Sequence, residues 1–184
     1  MLFFYFLLPI IVFSVDVVDI SGAASCPDTT KFIKKLLAFK KKLDPVPLGL
    51  IIKYRPVCHR RRLDNGTVQN TCARGELECS LSRFQVCAQK YIAADDALPT
   101  IGCIQGVRSL SAAEACTQNA PSIKTCAYSS EGNALLTEAQ KTRPTGVSWV
   151  PWIVINGVRV AEAEHKPKKY ICRLKSLKGN KACR

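Results

Sequence analysis

The segment Cys26–Thr29, which reads Cys-Pro-Asp-Thr, contains the side chain best suited to covalent chemistry in this chain. A cysteine thiolate attacks disulfide sulfurs, and in a dithiol redox site a second cysteine three positions later resolves the mixed disulfide. Thr29 occupies that later position and has no sulfur. The segment therefore predicts a thiol site that lacks one of its two sulfur atoms.

The residues on either side of Cys26 predict the elements that position it. Residues 17–24 are mainly apolar or small and could form a buried strand, and apolar residues recur at helical spacing across Lys31–Leu43. Cys26 would then cap the N-terminus of a helix, where the helix macrodipole favours a thiolate. The alternative is that Cys26 is simply an unpaired cysteine without a chemical role.

The beginning of the chain predicts export. Leu2–Val15 is an apolar run of about 14 residues, too short to span a bilayer but typical of the core of a secretory signal. Small residues permit cleavage after Ser14 or after Ala24, and we favour Ser14 because the later cut would remove the strand before Cys26. We therefore expect a signal peptide at 1–14 and one mature domain at 15–184, soluble and without a transmembrane segment.

The ten cysteines agree with an oxidising compartment, since so many in 184 residues indicate a disulfide framework. Zinc is the competing interpretation, but the chain has no Cys-x-x-Cys pair and only two histidines. We expect neither a bound metal nor a cofactor. Asn65, in the triplet Asn-Gly-Thr within a turn signal, is a predicted glycosylation site.

One cluster of cysteines carries a specific motif, Cys-x-x-Gly-x-x-Glu-Cys-x7-Cys, formed by Cys72, Gly75, Glu78, Cys79 and Cys87. This spacing resembles the signature of the gamma-interferon-inducible lysosomal thiol reductase family. The family usually has Gln-His after the first cysteine, where this chain has Ala73 and Arg74, and an Asn where this chain has Ser82.

The resemblance covers nearly the whole mature chain. It extends to Cys103, Cys116 and Cys126, to the segment 150–157, which reads Val-Pro-Trp-Ile-Val-Ile-Asn-Gly, and to the C-terminal pair Cys172 and Cys183. It implies a thioredoxin-like α/β fold with a disulfide-rich helical insertion at about 68–145. The first strand would end at Cys26, and the second would span about Leu48–Tyr54. Pro151 would be a cis-proline beside the nucleophilic Cys26, so that Val150 could pair with an extended substrate.

The residues themselves independently support the hairpin near the end of this fold. Residues 152–155 are aromatic and β-branched, as strands prefer, and Asn156-Gly157 is the strongest two-residue turn signal.

The resemblance assigns structural disulfides to the six cysteines of the insertion and to the C-terminal pair, namely Cys72, Cys79, Cys87, Cys103, Cys116, Cys126, Cys172 and Cys183. Cys26 and Cys58 are then left over and could pair with each other, either as a rebuilt redox couple or as an inert crosslink. The spacing does not decide between these, nor does it give the connectivity of the six insertion cysteines.

The net charge of +13 is concentrated in the predicted thioredoxin-like half. Residues 31–62 contain eleven Lys or Arg against one Asp, and 159–184 contain nine against two Glu, whereas 63–158 are nearly neutral. Three clusters are dense enough to attract polyanions: Lys40, Lys41 and Lys42; Arg60, Arg61 and Arg62; and Lys166, Lys168 and Lys169. A solvated surface that only maintains solubility is the simpler interpretation of the same charge.

Two functional hypotheses follow. The first is a secreted member of the family with a degenerate active site, which lacks dithiol reductase activity and binds an anionic polysaccharide, a lipid headgroup or a cell-surface protein. The alternative is a thiol-disulfide oxidoreductase that uses Cys26 as nucleophile on an extended disulfide-containing polypeptide, with Cys58 as resolving partner. Nucleic acid is not an expected partner, and lysosomes are the alternative to secretion.

Overall fold

The structure is a computed structural model that describes residues 15–184, apart from the side chains of residues 94 and 95. The predicted signal peptide at 1–14 lies outside the described residues. The strands are β1 (Asp16–Gly22), β2 (Leu50–Pro56), β3 (His59–Arg62), β4 (Val68–Thr71), β5 (Trp152–Ile155) and β6 (Val158–Arg159). The α-helices are α1 (Pro27–Lys40), α2 (Glu76–Tyr91), α3 (Ala94–Ile104), α4 (Leu110–Ala115), α5 (Pro121–Tyr128), α6 (Ser130–Lys141) and α7 (Pro167–Ile171).

Strand β1 is the centre of a four-stranded sheet with the order β2-β1-β5-β6. It pairs in parallel with β2 and antiparallel with β5, and the Asn156-Gly157 turn joins β5 to β6 as predicted. Strand β1 has a paired strand on each side, and Val18 and Ile20, which point to the same face, are completely buried in the core. The loop that follows β1 therefore starts from a fixed position in the core.

Helix α1 begins at Pro27, directly after Cys26 and ahead of the apolar periodicity at Lys31–Leu43. Proline suits the first helical position because it has no N–H to leave unpaired and its fixed φ matches the helix. Cys26 is the N-cap, as expected, and Phe32, Leu36 and Phe39 bury one face of the helix. The α-helix ends at Lys40, and its predicted last turn is a short 3-10 helix, Lys41–Leu43.

The segment between β2 and β5 is mainly helical, and it begins with a strand pair that the sequence did not predict. Strands β3 and β4 form a separate antiparallel ribbon, so Val68–Thr71 is extended although it falls in the range predicted to be helical. Disulfides Cys87–Cys126 and Cys103–Cys116 crosslink the helices, and Cys172–Cys183 closes the C-terminal segment. None of the helices in residues 15–184 is long and apolar enough to cross a membrane.

Asp16 connects the start of β1 to two distant segments. Its carboxylate accepts hydrogen bonds from Asn156 Nδ2 (2.8 Å) and from the backbone N–H of Ser176 (2.7 Å). Asn156 also accepts from the Val17 N–H through its side chain. Burial alone would raise the pKa of Asp16, but these hydrogen bonds hold that pKa below its usual value of 3.8.

We expect Asp16→Asn to lower the free energy of unfolding at pH 7 by about 2 kcal/mol, because hydrogen bonds to a charged acceptor are lost. The pKa of Asp16 is lower in the folded protein than in the unfolded chain. The ionised side chain therefore contributes its full stabilisation of the folded state at pH values above the unfolded-state pKa. This contribution disappears as the pH falls through the folded-state pKa. Urea unfolding of both proteins should therefore show a constant difference between pH 5 and 7 that shrinks below about pH 4. A difference independent of pH would contradict this account.

Candidate active site

Cys26 lies where β1 passes into α1, and its sulfur faces the loop before β5. The Sγ atom is 3.8 Å from the carbonyl oxygen of Val150, and the Val150–Pro151 peptide bond is cis. The residue is only 3% exposed. Within the described residues Cys26 has no sulfur partner. The structure thus brings together the nucleophile candidate and the Val-Pro pair that the sequence singled out.

Thr29 is fully buried one turn into α1, and its hydroxyl has no hydrogen-bond partner in the described chain. Its methyl group packs against Gly22, where a Cβ atom would come within 2.5 Å of Thr29 Cγ2. A cysteine side chain is smaller than threonine and would fit in the same space. Thr29 occupies the sequence position of the second cysteine of a Cys-x-x-Cys site, in the first turn of the helix capped by Cys26.

Two buried side chains from the helical segment hold the loop 23–26. Glu78 is completely buried and accepts hydrogen bonds from the backbone N–H groups of Ser25 (3.1 Å) and Arg74 (2.9 Å). Gln105 donates to the carbonyl oxygens of Ala23 and Ala24, both at 2.8 Å. The backbone of the loop is buried and needs such partners, so these two residues fix the position of Cys26.

Gln105 is in turn positioned by a buried polar network. Its Oε1 accepts hydrogen bonds from the Tyr54 hydroxyl (3.0 Å) and from Gln85 Nε2 (2.9 Å). Burial raises the pKa of Tyr54, so its hydroxyl remains a donor at any physiological pH. Glu78 stands out in the sequence only as part of a motif, and Tyr54, Gln85 and Gln105 do not stand out at all, because single buried polar side chains leave no periodic signal.

A stacked cluster supports the other side of the site. The Arg159 guanidinium lies 4.1 Å from the centre of the Trp152 ring and forms an ion pair with Glu164. Trp149 donates its indole N–H to the same Glu164 carboxylate (3.1 Å). These contacts hold Trp149 and Trp152, the residues that directly precede and follow Val150 and Pro151 in the chain.

The sequence left open whether Cys26 and Cys58 pair with each other, and in this structure they do not. Cys58 follows β2 and lies with Cys72 and Cys79, and the three sulfur atoms are within 4.8 Å of one another. Gln140 of α6 fixes this segment by accepting from the Cys58 N–H (3.0 Å) and donating to the carbonyl of Pro56. Cys58 therefore lies beside two cysteines of the sequence motif, Cys72 and Cys79, and is not a disulfide partner of Cys26.

Two grooves flank the Cys26 loop. One has a volume of about 240 Å³ and is lined by Lys31, Lys35, Trp149, Val150, Pro151 and Glu164, among others. The other, of about 500 Å³, includes Lys31, Arg74 and Arg108 and contains no acidic side chain among its lining residues. An extended chain that approaches Cys26 would meet cationic side chains in both grooves.

The basic clusters are divided between separate parts of the fold. Lys35 of α1 lines a surface pocket together with Lys166, Lys168 and Lys169 near α7. Lys41 and Lys42 follow the end of α1, with Lys40 as its last residue, and Arg60, Arg61 and Arg62 are exposed on strand β3. Asn65 is exposed in the β3–β4 turn, where its side chain accepts hydrogen bonds from Thr67.

The sequence model of the family described as gamma interferon inducible lysosomal thiol reductase (GILT) matches residues 17–120, more than half of the chain. The chain belongs to the GILT family. Two GILT-like proteins of Caenorhabditis elegans are similar to it, one 30% identical over 84% of this chain and the other 31% identical over 55%. In both comparisons the matched region is 51% of the relative, so this chain spans about half the length of the curated relatives it matches.

Solved structures identify the fold of this GILT family member as thioredoxin-like. The reduced DsbA1 of Neisseria meningitidis is similar with a TM-score of 0.51 and 14% identity, over 85% of this chain and 81% of that one. A thioredoxin-like oxidoreductase from Silicibacter pomeroyi has a TM-score of 0.50 and 10% identity, over 80% and 78% of the two chains. The predicted α/β fold and family are thus confirmed.

Thr29→Val should raise the free energy of unfolding by about 1 kcal/mol, because valine keeps the shape of threonine and removes a buried hydroxyl that has no partner. Denaturant unfolding of the two proteins at pH 7 measures the difference. A loss of stability on this substitution would mean that the hydroxyl is hydrogen-bonded after all.

Proposed function

We propose that this protein acts through a single thiol, forming mixed disulfides between Cys26 and extended polypeptides, and that it lacks dithiol reductase activity. The observation that carries the proposal is the contact between Cys26 Sγ and the Val150 carbonyl beside cis-Pro151. A backbone carbonyl at that place is available to a polypeptide strand that docks over the cysteine. Cys26 also lies at the N-cap of α1, at the edge of the sheet where β1 ends.

In the proposed step, the Cys26 thiolate attacks one sulfur of a substrate disulfide. A bond between Cys26 and that sulfur forms, the substrate S–S bond breaks, and the departing thiolate takes up a proton. Neither Thr29 nor Cys58 can release the substrate, since one has no sulfur and the other lies with Cys72 and Cys79. Release then requires a second thiol from outside, which attacks Cys26 or the substrate sulfur.

The charge around the site indicates the class of polypeptide. Lys31, Arg74 and Arg108 line one groove without an acidic side chain, so acidic residues that flank the substrate cysteine would find opposite charges there. In the other groove Lys31 and Lys35 lie with the carboxylates of Asp28 and Glu164, so its charge is balanced. Such pairs at a partly exposed groove affect orientation and rate of encounter more than affinity. We therefore infer an extended, acidic, disulfide-containing polypeptide as the substrate class.

A second candidate function is binding of an anionic partner independently of the thiol. It is supported by the pocket in which Lys35, Lys166, Lys168 and Lys169 converge from two helices that are distant in sequence. Anionic polysaccharides, lipid headgroups and acidic cell-surface proteins share the chemistry that this arrangement would recognise. The exposed Arg60–Arg62 strand would extend the same interaction.

We propose that the protein is exported, with secretion preferred and lysosomes as the alternative. The apolar run at Leu2–Val15 and the disulfides support this placement. Glycosylation of Asn65 is part of the same proposal, since the acceptor side chain is exposed in a turn.

Incubation of the protein with a peptide disulfide at pH 7, followed by acid quenching and peptide mass mapping, tests the thiol function. We expect a one-to-one adduct on Cys26 that persists until an external thiol is added, and no adduct at this position in Cys26→Ser. Wild-type protein that forms no adduct on Cys26 under these conditions would end the proposal.

Thr29→Cys provides the complementary test, with Thr29→Ser as its matched control. The thiolate introduced at position 29 would attack Cys26, break the bond to the substrate and leave an intramolecular disulfide with Cys26, because the helix retains the required spacing. We expect the adduct to fall at least tenfold in Thr29→Cys and to persist in Thr29→Ser. Equal adduct levels in both variants would contradict the proposed role of position 29.

Chromatography on immobilised heparin tests the anionic partner. We expect combined replacement of Lys166, Lys168 and Lys169 by Ser to lower the salt concentration of elution. The matched control, which replaces Lys124, Lys141 and Arg143 of the helical segment, removes the same charge and should elute much closer to the wild type. Equal shifts would show that only net charge matters, and wild-type binding that survives high salt would exclude an electrostatic interaction.

A further inference from the structure

The cluster Cys58, Cys72 and Cys79 contains an odd number of sulfur atoms in positions that permit two different disulfides. The Cα atom of Cys72 lies 4.7 Å from that of Cys58 and 5.4 Å from that of Cys79. Both separations fall in the range of protein disulfides, and the structure connects Cys72 to both neighbours. One sulfur can form only one disulfide, so the cluster contains one bond and one thiol.

The cysteine count leads to the same result. Three further disulfides use six of the ten cysteines, and Cys26 is free. The remaining three are those of the cluster, and they cannot all be paired with one another. The folded chain therefore has two thiols, one at Cys26 and one at either Cys58 or Cys79.

The surroundings of Cys58 and Cys79 do not clearly favour one pairing. Cys58 Sγ contacts the Ser82 hydroxyl, and Cys79 Sγ contacts the carbonyl oxygen of Asn70, both at 3.7 Å. Each of the two cysteines therefore has a polar neighbour that can accept a hydrogen bond from its thiol. Cys58 is 2% and Cys79 1% exposed, so burial does not distinguish them.

Cys72 is the sulfur that both alternatives share. It lies in the turn between β4 and α2, whereas Cys58 is fixed through Gln140 of α6 and Cys79 through the first turn of α2. Cys72 is also the partly exposed member of the three. A short turn between two fixed cysteines can bond to either with little movement of the backbone.

We propose that Cys58, Cys72 and Cys79 form an internal thiol-disulfide exchange centre, in which Cys72 is bonded alternately to Cys58 and to Cys79. In one direction the Cys58 thiolate attacks Cys72 Sγ, the Cys58–Cys72 bond forms, and the Cys72–Cys79 bond breaks with its electron pair leaving on Cys79. Cys79 then takes up the proton that Cys58 lost, so the exchange needs no external oxidant or reductant. This proposal does not depend on the proposed function of Cys26.

A metal site is the competing explanation of three sulfur atoms within 4.8 Å. In the described part of the chain, no His, Asp or Glu ligand atom joins this group. Structural zinc sites are almost always four-coordinate, so three cysteines alone are one ligand short. Zinc binding is accordingly an outcome of the test and not the proposal.

The test uses the wild-type protein in two preparations, one as purified and one fully reduced and then reoxidised. Each is acid-quenched, alkylated under denaturing conditions without reductant and mapped by mass spectrometry. We expect two alkylated cysteines per chain and both linked peptides, Cys58–Cys72 and Cys72–Cys79, in the same ratio from both preparations. A single pairing, a ratio that depends on the history of the sample, or three alkylated cluster cysteines with zinc in the native mass would each overturn the proposal.

Three variants serve as standards and controls. Cys58→Ser should contain only the Cys72–Cys79 peptide and Cys79→Ser only Cys58–Cys72, which calibrates the two signals. Cys26→Ser should lower the thiol count from two to one and leave the ratio of the two linked peptides unchanged. The two proposals can fail separately. If wild-type protein forms no adduct on Cys26 but both linked peptides are found in the same ratio in the two preparations, the proposed function is rejected and the exchange centre is retained.

Discussion

The structure depends on the need to satisfy the buried backbone of the loop that carries Cys26. This loop leaves the central strand β1 inside the core, so its N–H and C=O groups cannot form hydrogen bonds with water. Each unpaired group would lower the stability of the folded state by about 1–3 kcal/mol. Glu78 and Gln105 meet this requirement with hydrogen bonds to Ser25, Ala23 and Ala24. Both residues come from the helical segment, which is therefore part of the active-site scaffold and not an appendage to the sheet.

This arrangement explains why the motif around Glu78 joins a charged residue directly to a cysteine. The carboxylate is completely buried, and a buried charge persists only with partners. Backbone N–H groups of Ser25 and Arg74 are two such partners, and the Arg74 guanidinium, 3.5 Å away, is a third. Cys79, the next residue, fixes the same turn of α2 through its sulfur. One short segment thus links the disulfide framework to the position of Cys26.

The parts of this molecule that could be predicted from sequence are those that depend on local chemistry. Helix α1, the cap at Cys26 and the Asn156-Gly157 hairpin followed from periodicity and turn preference, and the fold followed from a resemblance carried by cysteine and proline motifs. The ribbon β3–β4 was missed because its exposed, basic strand has no apolar alternation. The position of Cys58 was also missed, because the choice among cysteine partners is made by tertiary contacts such as that of Gln140, which spacing does not encode.

The cluster of Cys58, Cys72 and Cys79 has a consequence for how the protein behaves among other proteins. An unpaired thiol in oxidising surroundings is normally a route to covalent dimers. Here Cys72, the partly exposed residue, forms the disulfide in either pairing. The remaining thiol belongs to Cys58 or Cys79, which are at most 2% exposed. The fold can therefore contain a cluster of three cysteines without exposing its thiol to a neighbouring molecule, and burial protects that thiol from random crosslinking.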